Sequence, residues 1–174
     1  NILSGNEGDL AIRPYEHNLL IKTASAEYIT SMYQYKSGEY WLGTLGSGLI
    51  KWNEPKKQTT VFNKTHGLPN DVIYSVLPGE NGSLWLSTNK GLCNINTVTG
   101  RVKNYTEVDG LMSNEFNIGA YMLSKSGVIY FGGIYGYNYF TPKEITRSQK
   151  DISVVLTKFK LENEWLKPNI KGSP

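Results

Sequence analysis

The residues of this chain whose types could do binding chemistry gather at one kind of place, the start of a β-strand that follows a polar connector. Asp109, Asn114, Glu115 and Asn117 lie close together in one such stretch, and Tyr135 follows in the next turn. Amides and carboxylates bond hydroxyl groups, and a phenol ring lies flat against an apolar ring face. Asn114, Glu115, Asn117 and Tyr135 are therefore the kind of set that holds a sugar. The same residue types have a simpler use, because Asn and Asp at strand starts bond their own backbone and fix the turn. Glu115 and Asn117 stand apart from the rest. They interrupt an otherwise apolar strand start, and period-two alternation sets both on one side.

Other chemistries find less support. Asp71, Asp109 and Glu115 are the candidates for a catalytic carboxylate pair, but they belong to different connectors and no second acid accompanies Glu115. Glycoside hydrolysis needs two carboxyl groups facing each other across a cleft. His17 and His66 have no partner at metal-ligand spacing, and Cys93 is the only cysteine, which excludes an internal disulfide and a cysteine metal cage. Gly132-Gly133 is not followed by a helix, so it is no phosphate loop. The expected site holds no metal and no cofactor. Lys+Arg 18 against Asp+Glu 15 gives a net charge of +3 with the lysines scattered, so no basic stripe for nucleic acid is present.

The elements that must carry these residues repeat. Tyr40-Trp41-Leu42-Gly43-Thr44 with Gly48-Leu49-Ile50 reads as an aromatic strand, a glycine turn and a second strand. Leu84-Trp85-Leu86-Ser87-Thr88 with Gly91-Leu92-Cys93 repeats it, and so does Ile129-Tyr130-Phe131-Gly132-Gly133 with Gly136-Tyr137-Asn138. Trp41 and Trp85 are 44 positions apart, Trp85 and Tyr130 are 45 apart, and a period of this length marks propellers and solenoids. Four short strands joined by tight turns make a propeller blade. The predicted fold is thus all-β, a partial β-propeller of about three four-stranded antiparallel blades plus a partial one, a fragment of a larger propeller.

The predicted blades cover about 28–62, 72–105 and 116–145, within a propeller region of 28–150. Residues 1–27 read as the remnant of a preceding blade, with strands over 8–13 and 19–22 and a short turn over 24–27. Trp41, Trp85 and Tyr130 occupy equivalent strand positions and are expected to wedge between neighbouring blades. Strand direction alternates along a blade. The turns between second and third strands and the connectors between blades therefore share one rim, with Asn89, Lys90 and Tyr135 beside His66, Asn70 and Asp71. Residues 152–161 read as a strand of a following module, so that 151–174 opens a second, truncated domain.

The repeat Trp41-Leu42-Gly43-Thr44 with Gly48-Leu49, joined by the connector His66-Gly67-Leu68-Pro69-Asn70-Asp71-Val72, resembles the two-component regulator propeller. So does its later variant, Asp109-Gly110-Leu111-Met112-Ser113-Asn114-Glu115-Phe116-Asn117 followed by Tyr130-Phe131-Gly132-Gly133. Residues 152–166 are similar to the opening of the Ig-like three-tyrosine domain that follows the propeller in that family. The resemblance implies a periplasmic, ligand-sensing ectodomain of a hybrid two-component histidine kinase anchored in the inner membrane. It also implies a breakdown product of a polysaccharide as ligand, further blades from the same parent chain, and a homodimeric parent. This part of such a kinase is not itself an enzyme. A spacer or dimerisation platform without a ligand site is the alternative, and a propeller glycosidase or lyase is a more remote one.

Overall fold

A computed structural model describes residues 28–145 together with the backbone of five strands outside them, over 2–6, 9–13, 19–22, 159–161 and 164–166. The first three of these, β1 (Ile2–Asn6), β2 (Asp9–Arg13) and β3 (Leu19–Lys22), form an antiparallel sheet in chain order. Strands were expected at β2 and β3. β1 is additional and pairs with β2 from Ile2 opposite Arg13 to Asn6 opposite Asp9. The expected turn over 24–27 lies outside the described residues.

Two four-stranded antiparallel sheets follow. Sheet I runs β4 (Ile29–Lys36), β5 (Glu39–Thr44), β6 (Leu49–Asn53) and β7 (Gln58–Phe62). Sheet II runs β8 (Ile73–Pro78), β9 (Ser83–Thr88), β10 (Gly91–Asn96) and β11 (Val102–Tyr105). Sheet III contains β12 (Phe116–Leu123), β13 (Ile129–Gly133) and β14 (Gly136–Phe140). Sheet III has three strands among the described residues, those that the sequence pattern shows over 116–123, 128–131 and 136–140 before it stops. None of the described sheets closes on itself. A short hairpin, β15 (Phe159–Leu161) with β16 (Glu164–Leu166), overlaps the end of the strand expected over 152–161, whose earlier part lies outside the described residues.

The sheets stand side by side, with β4, β8 and β12, their first strands, against one another. Alternation along each strand sends one set of side chains to each neighbour. Trp41 and Leu49 of sheet I meet Ile73, Val76, Leu84, Leu86, Cys93 and Ile95 of sheet II. The opposite face of sheet II puts Leu77, Trp85 and Leu92 against Phe116, Ile129 and Phe131 of sheet III. Burial and the packing of large rings between sheets, rather than any within-sheet interaction, thus hold the stack. Trp52, in a polar stretch of sequence, is also a packing residue, buried with Tyr40, Leu42 and Ile50 on the other face of sheet I.

Tyr130 departs from the wedge expectation. Register places it where Trp41 and Trp85 stand, each paired with the third strand of its own sheet (Lys51, Asn94 and Tyr139 respectively). Trp41 and Trp85 are buried, whereas Tyr130 is partly exposed and stacks on Tyr139 at 5.9 Å and near Tyr137 at 6.3 Å. Its face of sheet III points away from sheet II, and no described sheet lies on it.

A buried carboxylate braces sheet I. Glu39 accepts a hydrogen bond from Trp41 Nε1 at 3.2 Å and pairs with Lys51 Nζ at 3.2 Å and Lys36 Nζ at 3.4 Å. Burial alone would raise the Glu39 carboxyl, but the bonds from Lys51 and Trp41 and the two ammonium charges outweigh it and hold it below its ordinary 4.5. A carboxyl lowered by folding contributes stability above its unfolded pKa and loses it as pH falls through the folded value. The urea midpoint of the chain is therefore expected to drop as pH falls below about 4.5. Glu39→Gln should be less stable at neutral pH and flatter across that window. Parallel pH profiles for the two proteins would rule out this role.

Candidate functional site

The connector after sheet I and the connector after sheet II are built alike, residue for residue. Each opens with one turn of 3-10 helix, over Lys64–His66 and Glu107–Asp109, and each ends that turn on a left-handed glycine, Gly67 or Gly110. Asn63 N–H donates to His66 Nδ1, and Thr106 N–H donates to Asp109 Oδ2 at 2.9 Å. His66 and Asp109 are therefore helix-capping residues. Further on, Asp71 Oδ1 accepts from Lys64 N–H at 2.8 Å, and Asn114 Oδ1 accepts from Glu107 N–H at 2.9 Å. Asn70 Oδ1 and Ser113 Oγ each accept from the amide two residues on, at Val72 and Glu115.

The connectors also bond the hairpin turns, which places both on one rim as strand alternation predicts. Gly46 and Gly48 amides donate to the Asp71 carbonyl, and the Gly91 amide donates to the Asn114 carbonyl. The Ile134 amide then donates to the Glu115 carbonyl at 3.3 Å. Residues 114 and 115 thus bridge the turn of sheet II to the turn of sheet III.

Of the four sequence-derived site residues, Asn114 spends its amide oxygen within the connector, while Glu115 and Asn117 are exposed and Tyr135 is 72% exposed at the tip of the β13–β14 turn. Glu115 stands where Val72 stands in the preceding connector, and Asn117 follows Phe116 as Tyr74 follows Ile73. The backbone brings Glu115 against Ile134, next to Tyr135.

β12 differs from its counterparts in a way that concerns Asn117 directly. In β8 a single residue, Tyr74, is unpaired between Ile73 (opposite Thr88) and Ser75 (opposite Ser87). In β12, Phe116 is opposite Gly133 and the next paired residue is Tyr121, opposite Phe131. Ala120 packs against Gly132, as Ser75 lies beside Ser87, so residues 117–119 take the place of Tyr74 alone. This enlarged bulge is exposed throughout: Ile118 is 55% accessible, and Gly119 has φ +75°. The two additional residues are also visible as a spacing. Ile73 to Phe116 is 43 positions, whereas Trp85 to Tyr130 is 45.

Tyr74, on the first strand of sheet II and packed against the core between sheets II and III, is a candidate residue that sequence reasoning missed. Its phenol is raised above 10.0, first by burial and then by the negative charge of Glu115, so the carboxylate lies within electrostatic reach of it. In sequence Tyr74 is one more aromatic in a strand rich in them, and only the meeting of β8 with β12 brings it to Glu115. Glu115 and Asn117 flank the buried Phe116 and are both exposed, and a carboxylate and an amide can accept and donate hydrogen bonds to hydroxyl groups. Asp71 and Asp109 are committed to the connectors. No group of three or more His, Cys, Asp or Glu among the described residues is placed to hold a metal ion.

The stacked antiparallel sheets define a partial β-propeller. Residues 67–90, which take in the first connector's end and the Trp85 strand, match the family model described as two component regulator propeller. Over 99 residues, 57% of this chain, the sequence is 35% identical to Histidine kinase P4 of Formosa agariphila, of which the match spans 7%. A crystal structure of an extracellular domain assigned to a hybrid two component system of B. thetaiotaomicron superposes with a TM-score of 0.65 at 20% identity, covering 82% of this chain and 19% of that one. PorZ, a surface component of the type-IX secretion system of Porphyromonas gingivalis, superposes at 0.51 and 16% identity over 71% of this chain and 18% of its own. The chain spans less than a fifth of each of these relatives. It is a partial β-propeller, similar over residues 67–90 to the two component regulator propeller and over 99 residues to a histidine kinase.

Proposed function

We propose that this chain is part of the extracytoplasmic sensor region of a two-component histidine kinase and that it helps to recognise an oligosaccharide released from a polysaccharide. The relatives above support the sensor reading and a periplasmic location. No helix among the described residues is long and apolar enough to cross a membrane. In this reading the blades continue into a larger propeller of the parent protein, and the signal passes to a dimeric kinase. The blades bind ligand and perform no catalysis.

One observation supports the choice of site: the repeat is broken at the bulge of β12, which leaves residues 117–119 exposed, beside the exposed Glu115, where the preceding sheet has the partly buried Tyr74 alone. Bulges re-aim side chains and concentrate beside functional sites. Glu115 and Asn117 would bond sugar hydroxyls, Tyr74 would add a phenol from the neighbouring sheet, and Tyr135 would stand at the margin of the site. Calorimetry of the whole ectodomain against a panel of oligosaccharides tests this. Glu115→Ala and Asn117→Ala are expected each to weaken binding about tenfold or more, a loss of about 1.4 kcal/mol. Unchanged affinity in both variants would move the site elsewhere. An ectodomain that binds no glycan and signals normally with both substitutions would establish the blades as a spacer or dimer platform.

A further inference from the structure

The two connectors share one geometry and differ in charge. Lys64 and His66 of the first stand at the positions of Glu107 and Asp109 in the second, and Asp71 and Val72 at those of Asn114 and Glu115. In the first, Lys64 Nζ pairs with Asp71 Oδ2 at 3.5 Å, so its formal charges cancel. The second carries three carboxylates, Glu107, Asp109 and Glu115, and no lysine or arginine occurs from 104 to 124. The chain as a whole is net positive at +3, so this junction reverses its sign locally.

The three carboxylates are held differently. Glu107 Oε1 accepts from the Asn114 N–H at 3.3 Å and Asp109 Oδ2 from the Thr106 N–H at 2.9 Å, so the connector fixes both in place. Glu115 is exposed and forms no ion pair among the described residues. Its charge still reaches Tyr74, whose phenol burial and that charge together keep protonated and therefore a donor. Of the nearby cations, Lys103 Nζ lies over the Tyr105 ring at 4.6 Å. Lys90, exposed in the turn that Gly91 ties to Asn114, sets one ammonium against the three carboxylates. Arg101, the one arginine over 28–145, precedes β11 at the opposite rim.

We propose that the site at the β12 bulge selects its saccharide by charge, taking sugars that present hydroxyl or ammonium groups and rejecting those that carry carboxylate or sulfate. This rests on the reading of Glu115 and Asn117 as the sugar-binding pair. A hydroxyl or an ammonium donates to the Glu115 carboxylate, and an ammonium gains the stronger, charge-assisted bond. The Asn117 amide, two positions on and exposed, donates and accepts without adding charge. A uronate or a sulfate ester would instead set a second negative charge against Glu115, with Glu107 and Asp109 in the same connector. Like charges set together across an interface suppress the wrong partner. Sulfate and carboxylate are held best by the planar fork of an arginine, and this rim offers none.

Calorimetry of the complete ectodomain tests this, against a panel that holds, for each sugar backbone, a neutral oligosaccharide, an amine-bearing one and a uronate or sulfated one of equal length. A neutral or amine-bearing member is expected to bind, and its acidic counterpart at least about tenfold more weakly. Glu115→Gln keeps the shape of the side chain and removes its charge. It should narrow that gap to about threefold or less, and weaken an amine-bearing ligand by about fivefold. An acidic oligosaccharide that binds as tightly as its neutral counterpart, with Asn117→Ala weakening both, would overturn the charge rule and leave the site standing. A gap that Glu115→Gln does not narrow would overturn the rule as well. Binding to no member of the panel, or binding that Asn117→Ala and Glu115→Ala both leave unchanged, would remove the site itself and this inference with it.

Discussion

Gly48→Ala is expected to lower the stability of this chain by about 3–5 kcal/mol, while Gly46→Ala, two residues away, costs about 1 kcal/mol. Both glycines have positive φ, +80° at Gly48 and +118° at Gly46, so both substitutions pay the left-handed cost of a Cβ. They differ in what that Cβ meets. At Gly48 it would stand 2.1 Å from the carbonyl oxygen of Phe62, and at Gly46 nothing lies within 4 Å. The obstruction is backbone, at the last residue of β7, and it cannot move without breaking the β6–β7 pairing. Gly91 repeats the arrangement in sheet II, its Cβ falling 2.2 Å from the Tyr105 carbonyl at φ +95°. Gly91→Ala should therefore match Gly48→Ala. Urea unfolding of the three variants decides the matter, and equal losses at positions 46 and 48 would show that the close approach is not the cause.

Trp41→Ala is expected to cost about 3–5 kcal/mol, whereas Tyr130→Ala, at the equivalent position of sheet III, costs less than about 1 kcal/mol in this chain. Trp41 is fully buried between two sheets, stacked on Phe62, with Lys51 Nζ 5.1 Å from its ring centre. Its removal opens a cavity and leaves the Glu39 carboxylate without the indole N–H it accepts from. Tyr130 is partly exposed, and its neighbours Tyr137 and Tyr139 are themselves 63% and 65% accessible. Thermal unfolding of both variants makes the comparison. A Tyr130→Ala loss as large as that of Trp41→Ala would mean that this face is covered in the isolated chain.

Much of this molecule is legible along the chain. The recurrence of an aromatic strand, a glycine turn and a second strand places β5–β6, β9–β10 and β13–β14. Strand alternation alone puts turns and connectors on one rim, as the Gly46, Gly48 and Gly91 amides bonded to connector carbonyls bear out. The alternative use of Asn and Asp at strand starts describes Asp71 and Asn114 well, since each accepts an amide within its own connector. These are local matters. A turn residue reaches only its near neighbours in sequence, so the pattern of types carries the outcome.

The amino-acid sequence by itself determined the repeating sheets, their turns and the spacing difference of 43 against 45 that marks an insertion before Tyr130. Only the tertiary structure decided where those two residues go, because the pairing of β12 with β13 absorbs them at 117–119. The same is true of the neighbours of Glu115, which come from another strand: Tyr74 stands 41 positions away and reaches the carboxylate through the packing of β8 on β12. Tyr130 makes the point in reverse. Its position in the repeat matches that of Trp41, yet burial is a property of what lies across the interface, and a residue's own sequence neighbours do not specify that.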